Sequence, residues 1–171
     1  MIFVRTAREA EVPQLSAVGL RAWEQAVVGL VDVERMRRVA ELAFLSFLRS
    51  HWSITSVIES SGTPVGWAAR EDQDGAISDL WIDPEVQGTG IGSRLLLTIE
   101  ADIVRAGFDD ATTKTHAQNA RAIGFFRKHG YSVNWLSTAY SAKLDRDVES
   151  VGLTKRLVAD EPLGYGPGVL L

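Results

Sequence analysis

Residues 76–107 constrain the fold of this chain more than any other stretch. They open as Ala-Ile-Ser-Asp-Leu-Trp-Ile-Asp-Pro, where Ile77, Leu80 and Ile82 among β-favouring neighbours predict a buried strand that Pro84 ends. They close on Leu95, Leu96, Ile99 and Ile103, apolar residues at helical steps, with Gly107 placed to stop the helix. Gly88, Gly90 and Gly92 lie in the turn between. A strand that enters a helix through such a turn leaves backbone N–H groups unpaired at the positive end of the helix dipole. Without Cβ atoms nothing blocks a close approach, so the turn is a candidate anion site, with phosphate as the anion it suits best. The same turn also occurs with no ligand at all, and by itself it does not separate the two cases.

The spacing narrows the phosphate ligands that fit. A P-loop needs Gly-Lys followed by Ser or Thr, and no lysine follows these glycines. The dinucleotide fingerprint needs Gly or Ala where Ser93 stands, and it opens a domain at its first strand instead of arriving mid-chain. The turn does resemble the Gln/Arg-x-x-Gly-x-Gly/Ala signature of the GNAT N-acetyltransferases, matched by Gln87, Gly90 and Gly92. A second segment, Asn119-Ala120-Arg121-Ala122-Ile123-Gly124-Phe125-Phe126-Arg127-Lys128-His129-Gly130-Tyr131, is similar to that family's Asn-x-x-Ala-x-x-Phe-Tyr-x-Lys-x-Gly-Phe. Two spaced motifs in the right order are much harder to meet by chance than either alone. The likeness covers residues 2–144, with specific motifs only in 76–131.

The other elements follow from periodicity and breakers. A first strand at Ile2 and Val4 precedes a helix from residue 10, with Val12, Leu15 and Val18 on one face, continuing through Leu20, Trp23 and Val27 to a break at Gly29. A second helix spans residues 33–48. Residues 53–59 and 65–70 read as strands joined by the hairpin turn Ser60-Ser61-Gly62-Thr63. Residues 110–115 form a fifth strand and residues 119–129 a helix that Gly130 ends. Sixth and seventh strands are expected at 132–138 and 139–144, which closes a domain at residue 145. Residues 146–171 are left as an extension of unassigned role, where Gly and Pro disfavour a long regular element. It is either disordered or laid along a neighbouring subunit, where its apolar end would prefer burial, and a homodimer is the expectation drawn from the second case. The resemblance implies an α+β GNAT fold: a mixed, mostly antiparallel sheet of six to seven strands flanked by four helices.

Composition bounds the function. At 171 residues with 46% hydrophobic and 23% charged residues, one globular domain is expected, and no apolar run is long enough to cross a bilayer. The N-terminus lacks the pattern of a secretory signal, which leads to the expectation of a cytoplasmic protein with no membrane partner. A net charge of −4 argues against a general nucleic-acid binder. Cysteine is absent, so disulfides, thiolate metal sites and a cysteine nucleophile are excluded, and no other metal-ligand cluster stands out. No Gly-x-Ser-x-Gly elbow is present either, which favours direct attack on an acyl donor over a covalent intermediate.

By resemblance, the donor is acetyl-coenzyme A and the acceptor a primary amine of a small molecule, an amino acid or a peptide. Pantetheine would pair with the backbone of Leu80, Trp81 and Ile82, and the Ile82 N–H would meet the thioester oxygen. Gln87, Gly88, Thr89, Gly90, Ile91, Gly92 and Ser93 would take the pyrophosphate, and Asn119 would hold the cofactor arm from the other side. Arg127 or Lys128 would meet the outer phosphate unless they simply line a solvated helix face. The early helices would form a wall of the acceptor groove, with Trp23 and Glu24 as the residues to watch. An alkylammonium must lose a proton before it attacks, so a base is needed. Asp79 on the central strand is the first candidate, with a merely hydrogen-bonded strand aspartate as its other role. His116 is the second and Glu24 a third, whereas His51 and His129 lack supporting context. One departure matters: Phe126 stands where family members often carry a tyrosine able to protonate the leaving thiolate. That keeps open a catalytically weak coenzyme A-binding or regulatory domain.

Overall fold

The computed structural model describes residues 1–142 and 145–159. Among them, seven strands and four α-helices follow one another as β1 (Ile2–Thr6), α1 (Val12–Val27), α2 (Val33–His51), β2 (Thr55–Ser60), β3 (Thr63–Ala69), β4 (Asp79–Ile82), α3 (Ile91–Arg105), β5 (Asp110–His116), α4 (Ala120–Lys128), β6 (Ser132–Ser141) and β7 (Arg146–Arg156). The strands form two antiparallel sheets instead of the single sheet expected: β1-β2-β3-β4 and β5-β7-β6. An isolated parallel bridge between Ala76 and Thr112 joins them. There the Ile77 N–H donates to the Thr112 carbonyl at 2.7 Å and the Thr112 N–H to that of Gly75 at 2.9 Å.

Alternation along the central strands sets the layers, because successive side chains leave opposite faces of a sheet. Val57 and Trp67 face α1 and α2, where Leu15, Phe44 and Leu48 are fully buried. Ile58 and Ala68 face Leu95, Leu96, Ile99 and Ile103 of α3. Each large aliphatic side chain so buried contributes about 1.5–3 kcal/mol. α1 and α2 approach closely because Gly19 has no side chain: a Cβ there would stand 2.8 Å from the Phe44 ring. The β2–β3 hairpin turns through Ser61 and Gly62, both at positive φ (51° and 84°), the two-residue geometry that matches strand twist.

The C-terminal strands differ from expectation. Residues 139–141 continue β6, and the seventh strand is Arg146–Arg156, inside the stretch read as an extension. β7 is the middle strand of its sheet, paired with β5 from Asp110↔Arg156 to His116↔Ser150 and with β6 from Ser132↔Thr154 to Ser141↔Arg146. Gly152, which reads as a strand breaker, is required here: a Cβ would fall 1.9 Å from the indole of Trp135, which lies over that backbone. Lys143, Leu144 and the Gly- and Pro-rich residues 160–171 lie outside the described residues.

Two polar clusters fasten the layers. On α3, buried Glu100 accepts the Tyr131 hydroxyl at 2.7 Å and the Lys155 ammonium at 3.1 Å on each oxygen. Burial, with Glu100 adding to it, pushes the Tyr131 phenol well above its ordinary range. Near the N-terminus, Arg5 bonds Glu11 at 2.5 Å and Glu59 at 2.6 Å. Arg5, helped by the Arg8 backbone N–H, outweighs desolvation and holds the Glu11 carboxyl below its usual value.

Tyr131→Phe is expected to cost about 1–2 kcal/mol in urea unfolding, since Glu100 then loses a buried donor. For Glu11 the folded value lies below the unfolded one, so its stabilisation is present above the unfolded carboxylate range and is lost as pH falls through the folded value. The stability gap between wild type and Glu11→Gln should be full at neutral pH and shrink below about pH 4, measured by urea unfolding as a function of pH.

Candidate functional site

β4 is hydrogen-bonded to β3 on one side and parts from β5 beyond the Ala76–Thr112 bridge. The Asp83 N–H donates to the Val65 carbonyl of β3 at 2.8 Å. Backbone groups alternate along a strand, so those of Leu80 and Ile82 turn the other way, into the opening toward β5. The Ile82 carbonyl is taken by the Gln87 side-chain amide at 3.0 Å, which leaves the Ile82 N–H as the donor directed into the opening.

The chain leaves β4 through Asp83, whose carboxylate caps the short turn Pro84–Val86 by accepting the Glu85 N–H at 3.1 Å and pairs with Arg21 of α1 at 2.6 Å. The glycine turn follows. Gly88 and Gly90 have φ of +78° and +86°, a region that costs other residues about 1–2 kcal/mol, and a Cβ on either would meet nothing within 4 Å. Gly90 is the residue from which α3 starts, and its carbonyl accepts the Arg94 N–H at 3.1 Å. The backbone of this turn therefore faces open space at the positive end of a helix whose opposite face is deeply buried. Gly92 serves packing instead: its Cβ position lies 3.2 Å from the Phe125 ring of α4. The Thr89 hydroxyl donates to the Val86 carbonyl and steadies the turn from within. Ile91 is buried as the first residue of α3.

α4 lies along the turn. Asn119 caps it, its side-chain oxygen accepting the Ala122 N–H at 3.2 Å, and its amide reaches the Thr115 hydroxyl at 3.4 Å. Arg121 donates to the Gln87 side-chain oxygen. His129 bonds the Ser93 hydroxyl at 2.8 Å and the Phe125 carbonyl at 2.8 Å. The four-residue spacing of Arg121, Phe125 and His129 puts them on one helical face, but their partners are set by packing and not by spacing. His129 therefore has a defined setting, contrary to its reading from sequence. Phe126 is buried, edge-on to Phe125 and Tyr131 at ring distances of 5.3 and 5.1 Å. Arg127 and Lys128 are exposed.

Asp79 is 8% exposed and accepts the Trp81 indole N–H at 3.0 Å. Residues two apart share a face, and Trp81 meets Phe44 of α2 edge-on, so the Asp79 carboxylate lies on the α1–α2 side of β4. His116 ends β5, and its Nδ1 accepts the Gln118 N–H at 3.1 Å. That assigns the proton of the neutral ring to Nε2 and leaves no open acceptor on the imidazole. Trp23 is 2% exposed inside the core, which gives an acceptor almost no surface to touch, and Glu24 is ion-paired with Arg37 of α2 at 2.5 Å. A cleft of about 540 Å³ opens beyond them, lined by the α1–α2 connection (Gly29, Leu30, Val31, Asp32), by Arg35 and Met36 of α2, and by Arg146 of β7. Among the described residues no three His, Asp or Glu side chains come together as metal ligands, and no helix is long and apolar enough to cross a membrane.

Residues 17–131 match the model of the acetyltransferase (GNAT) family. The chain is 29% identical over 137 residues to the peptidyl-lysine N-acetyltransferase YjaB of Salmonella typhimurium, covering 78% of this chain and 85% of that protein. The YjaB of Escherichia coli is likewise 29% identical, over 133 residues, and the solution structure of its apo form superposes with a TM-score of 0.71 at 28% identity, covering 90% of this chain and 97% of the other. The PaiA N-acetyltransferase of Thermoplasma acidophilum, crystallised with coenzyme A, superposes with a TM-score of 0.75 at 18% identity, covering 91% and 99%. With the family model spanning more than half of its length, the chain belongs to the GNAT family of acetyltransferases.

Proposed function

We propose that this acetyltransferase moves the acetyl group of acetyl-coenzyme A directly to a primary amine in a ternary complex, with a lysine side chain of a peptide as the favoured acceptor. The reading is supported by β4 and β5 sharing no ladder beyond the isolated Ala76–Thr112 bridge among the described residues, and by the left-handed Gly88 and Gly90 that lead from β4 into α3. The residues fit the cofactor: Gly88 and Gly90 take left-handed φ, their Cβ positions lie in open space, and the turn they form leads into a helix N-terminus suited to a diphosphate. Bound there, acetyl-coenzyme A would supply an activated acyl group as a thioester. The peptidyl-lysine activity of the YjaB proteins supports the acceptor class.

In this reading Leu80 and Ile82 offer backbone to the pantetheine arm, with Trp81 between them turned to β3, and the Ile82 N–H stabilises charge that develops on the carbonyl oxygen. Residues 87–93 hold the diphosphate, with Asn119 on the far side of the opening and Phe126 as packing behind it. The acceptor enters by the cleft at Gly29 and Arg146, and Trp23 and Glu24 support that wall from within. Asp79 is the proposed base, acting on the α1–α2 side of β4 with its orientation set by the Trp81 indole. His116 is the weaker candidate because its Nδ1 lone pair is already used. Action in the cytoplasm and a homodimer belong to the same proposal. For the dimer, the support is β6, ten residues without a charge along one side of its sheet, exposing Leu136 and Tyr140.

A catalytically weak coenzyme A-binding domain is the second reading, and Phe126 favours it, since it has no proton to give. Tyr131 does not substitute, because its ring is 3% exposed and its hydroxyl is committed to Glu100. Thiol release from acetyl-coenzyme A with lysine peptides, free amino acids and polyamines separates the readings: turnover above the no-acceptor rate supports the enzyme, and binding without turnover on any acceptor supports the alternative. Gly90→Trp should lower coenzyme A affinity at least about a hundredfold by calorimetry while circular dichroism stays native, since the side chain enters the space of the phosphates; an unchanged affinity would overturn the phosphate-loop assignment. Asp79→Asn should keep coenzyme A affinity, lose about 10²–10⁴ in rate and flatten the acidic limb of the pH–rate profile. An unchanged profile removes Asp79 as the base.

A further inference from the structure

We infer that His129 is a positioning residue for the cofactor's diphosphate, acting through Ser93, and that one face of α4 braces the whole glycine turn. This rests on the reading that residues 87–93 hold that diphosphate. Three residues of α4 and its C-cap, spaced by four, each engage a different part of the turn. Arg121 donates to Gln87 at its start, the Phe125 ring fills the space over Gly92, and His129 bonds Ser93 in the first turn of α3. Residues i, i+4 and i+8 share one helical face, so the three contacts form a single stripe.

The protonation pattern of this stripe is fixed by chemistry. A carbonyl oxygen has no hydrogen to give, so the bond of 2.8 Å between the imidazole Nδ1 and the Phe125 carbonyl requires the proton on Nδ1. With the ring neutral, Nε2 is the acceptor for the Ser93 hydroxyl, 2.8 Å away. The ring is held from the side as well, 4.6 Å from the Phe125 ring centre. Ser93 is the third residue of α3, where backbone N–H groups have no partner within the helix. Tying its side chain down fixes the direction in which those N–H groups point. It also keeps the serine hydroxyl from folding back onto the helix backbone and competing for groups that the phosphate needs. An anion site whose donors are already oriented binds more tightly than one that must order them on binding.

A purely structural role for His129 would affect every thioester alike, whereas a role at the diphosphate spares a donor that lacks one. The test compares acetyl-coenzyme A with S-acetylpantetheine, which has the thioester and pantetheine but no diphosphate or nucleotide. For His129→Phe, the KM for acetyl-coenzyme A and the Kd for coenzyme A should rise about fivefold to twentyfold, as for the loss of one well-placed hydrogen bond. kcat at saturation and the KM for S-acetylpantetheine should hold within about twofold. For the coenzyme A Kd, Ser93→Ala should match the His129→Phe loss, and the double variant should be no worse than either single one, because both remove the same bond. His129→Gln, whose side-chain oxygen can accept the Ser93 hydroxyl, should recover most of the affinity and serves if the Phe variant fails to fold. Equal losses for both thioesters, additive effects of the two substitutions, or a Gln variant as weak as Ser93→Ala would overturn the inference and leave the diphosphate site in place. Failure of the wild-type protein to bind coenzyme A would overturn that site and the inference together.

Discussion

The seating of α3 on the four-stranded sheet is the contact on which the rest of the molecule depends. Leu95, Leu96, Ile99 and Ile103 are buried against Ile58, Ala68 and Ile82, and Glu100 on the same helix receives Tyr131, which leads into β6, and Lys155 of β7. One helix thus packs on one sheet and anchors the other. Its start cannot move independently of this packing. The left-handed Gly90 is where the chain must reverse to reach a helix whose axis the core has already set. The turn is thus tied to the packing of α3, while the Cβ positions of Gly88 and Gly90 stay in open space.

The parting of β4 from β5 is the second structural condition, and it follows from how the two sheets meet. Parallel strands need a crossover, here α3, and the crossover ties them at Ala76 and Thr112 only. Past that point each strand keeps its own antiparallel partner, β3 for β4 and β7 for β5. The two sheets then diverge, and β4 keeps one edge of N–H and C=O groups for something other than a neighbouring strand. Such an edge is a standing invitation to an extended ligand. A pantetheine arm suits it because it carries amides at strand-like spacing, and the proposed activity uses that edge at Ile82.

The strand–turn–helix stretch was legible because each of its parts obeys a local rule: β-favouring residues to Pro84, glycines where φ turns positive, an apolar stripe to Gly107. The hairpin at Ser61 and Gly62 and the first two helices were legible for the same reason. β7 was not. Its sequence, Arg-Asp-Val-Glu-Ser-Val-Gly-Leu-Thr-Lys-Arg, puts charges at both ends and a glycine in its buried centre, so it reads as polar and broken. Only the indole of Trp135, seventeen positions earlier and on the neighbouring strand, explains why Gly152 belongs there. The site shows the same division. The turn glycines could be read singly, but the side-chain partners Ser93 of His129, Arg121 of Gln87 and Tyr131 of Glu100 lie 31 or more positions away in sequence. Trp23 and Phe126 were read as site residues through the family resemblance alone, and both side chains are buried.

The replacement of tyrosine by Phe126 gains a physical context from the same core. Phe126 packs edge-on between Phe125 and Tyr131, so the position is constrained first by aromatic packing, which either ring would satisfy. The neighbouring phenol is out of reach as a substitute acid, since burial and Glu100 push its pKa upward and its proton is already donated. A proton for the departing sulfur would then have to come from water or from no group at all. That demand is modest: a thiol ionises near 8.5, so a thiolate is a tolerable leaving group at neutral pH, while an alkyl amine near 10.4 does not attack until it is deprotonated. Of the two proton transfers, the one at the acceptor is the larger problem by about two powers of ten. The chain retains a carboxylate on that side of β4, Asp79, and has dispensed with the hydroxyl on the other. On the proposed chemistry, it kept the group that matters more.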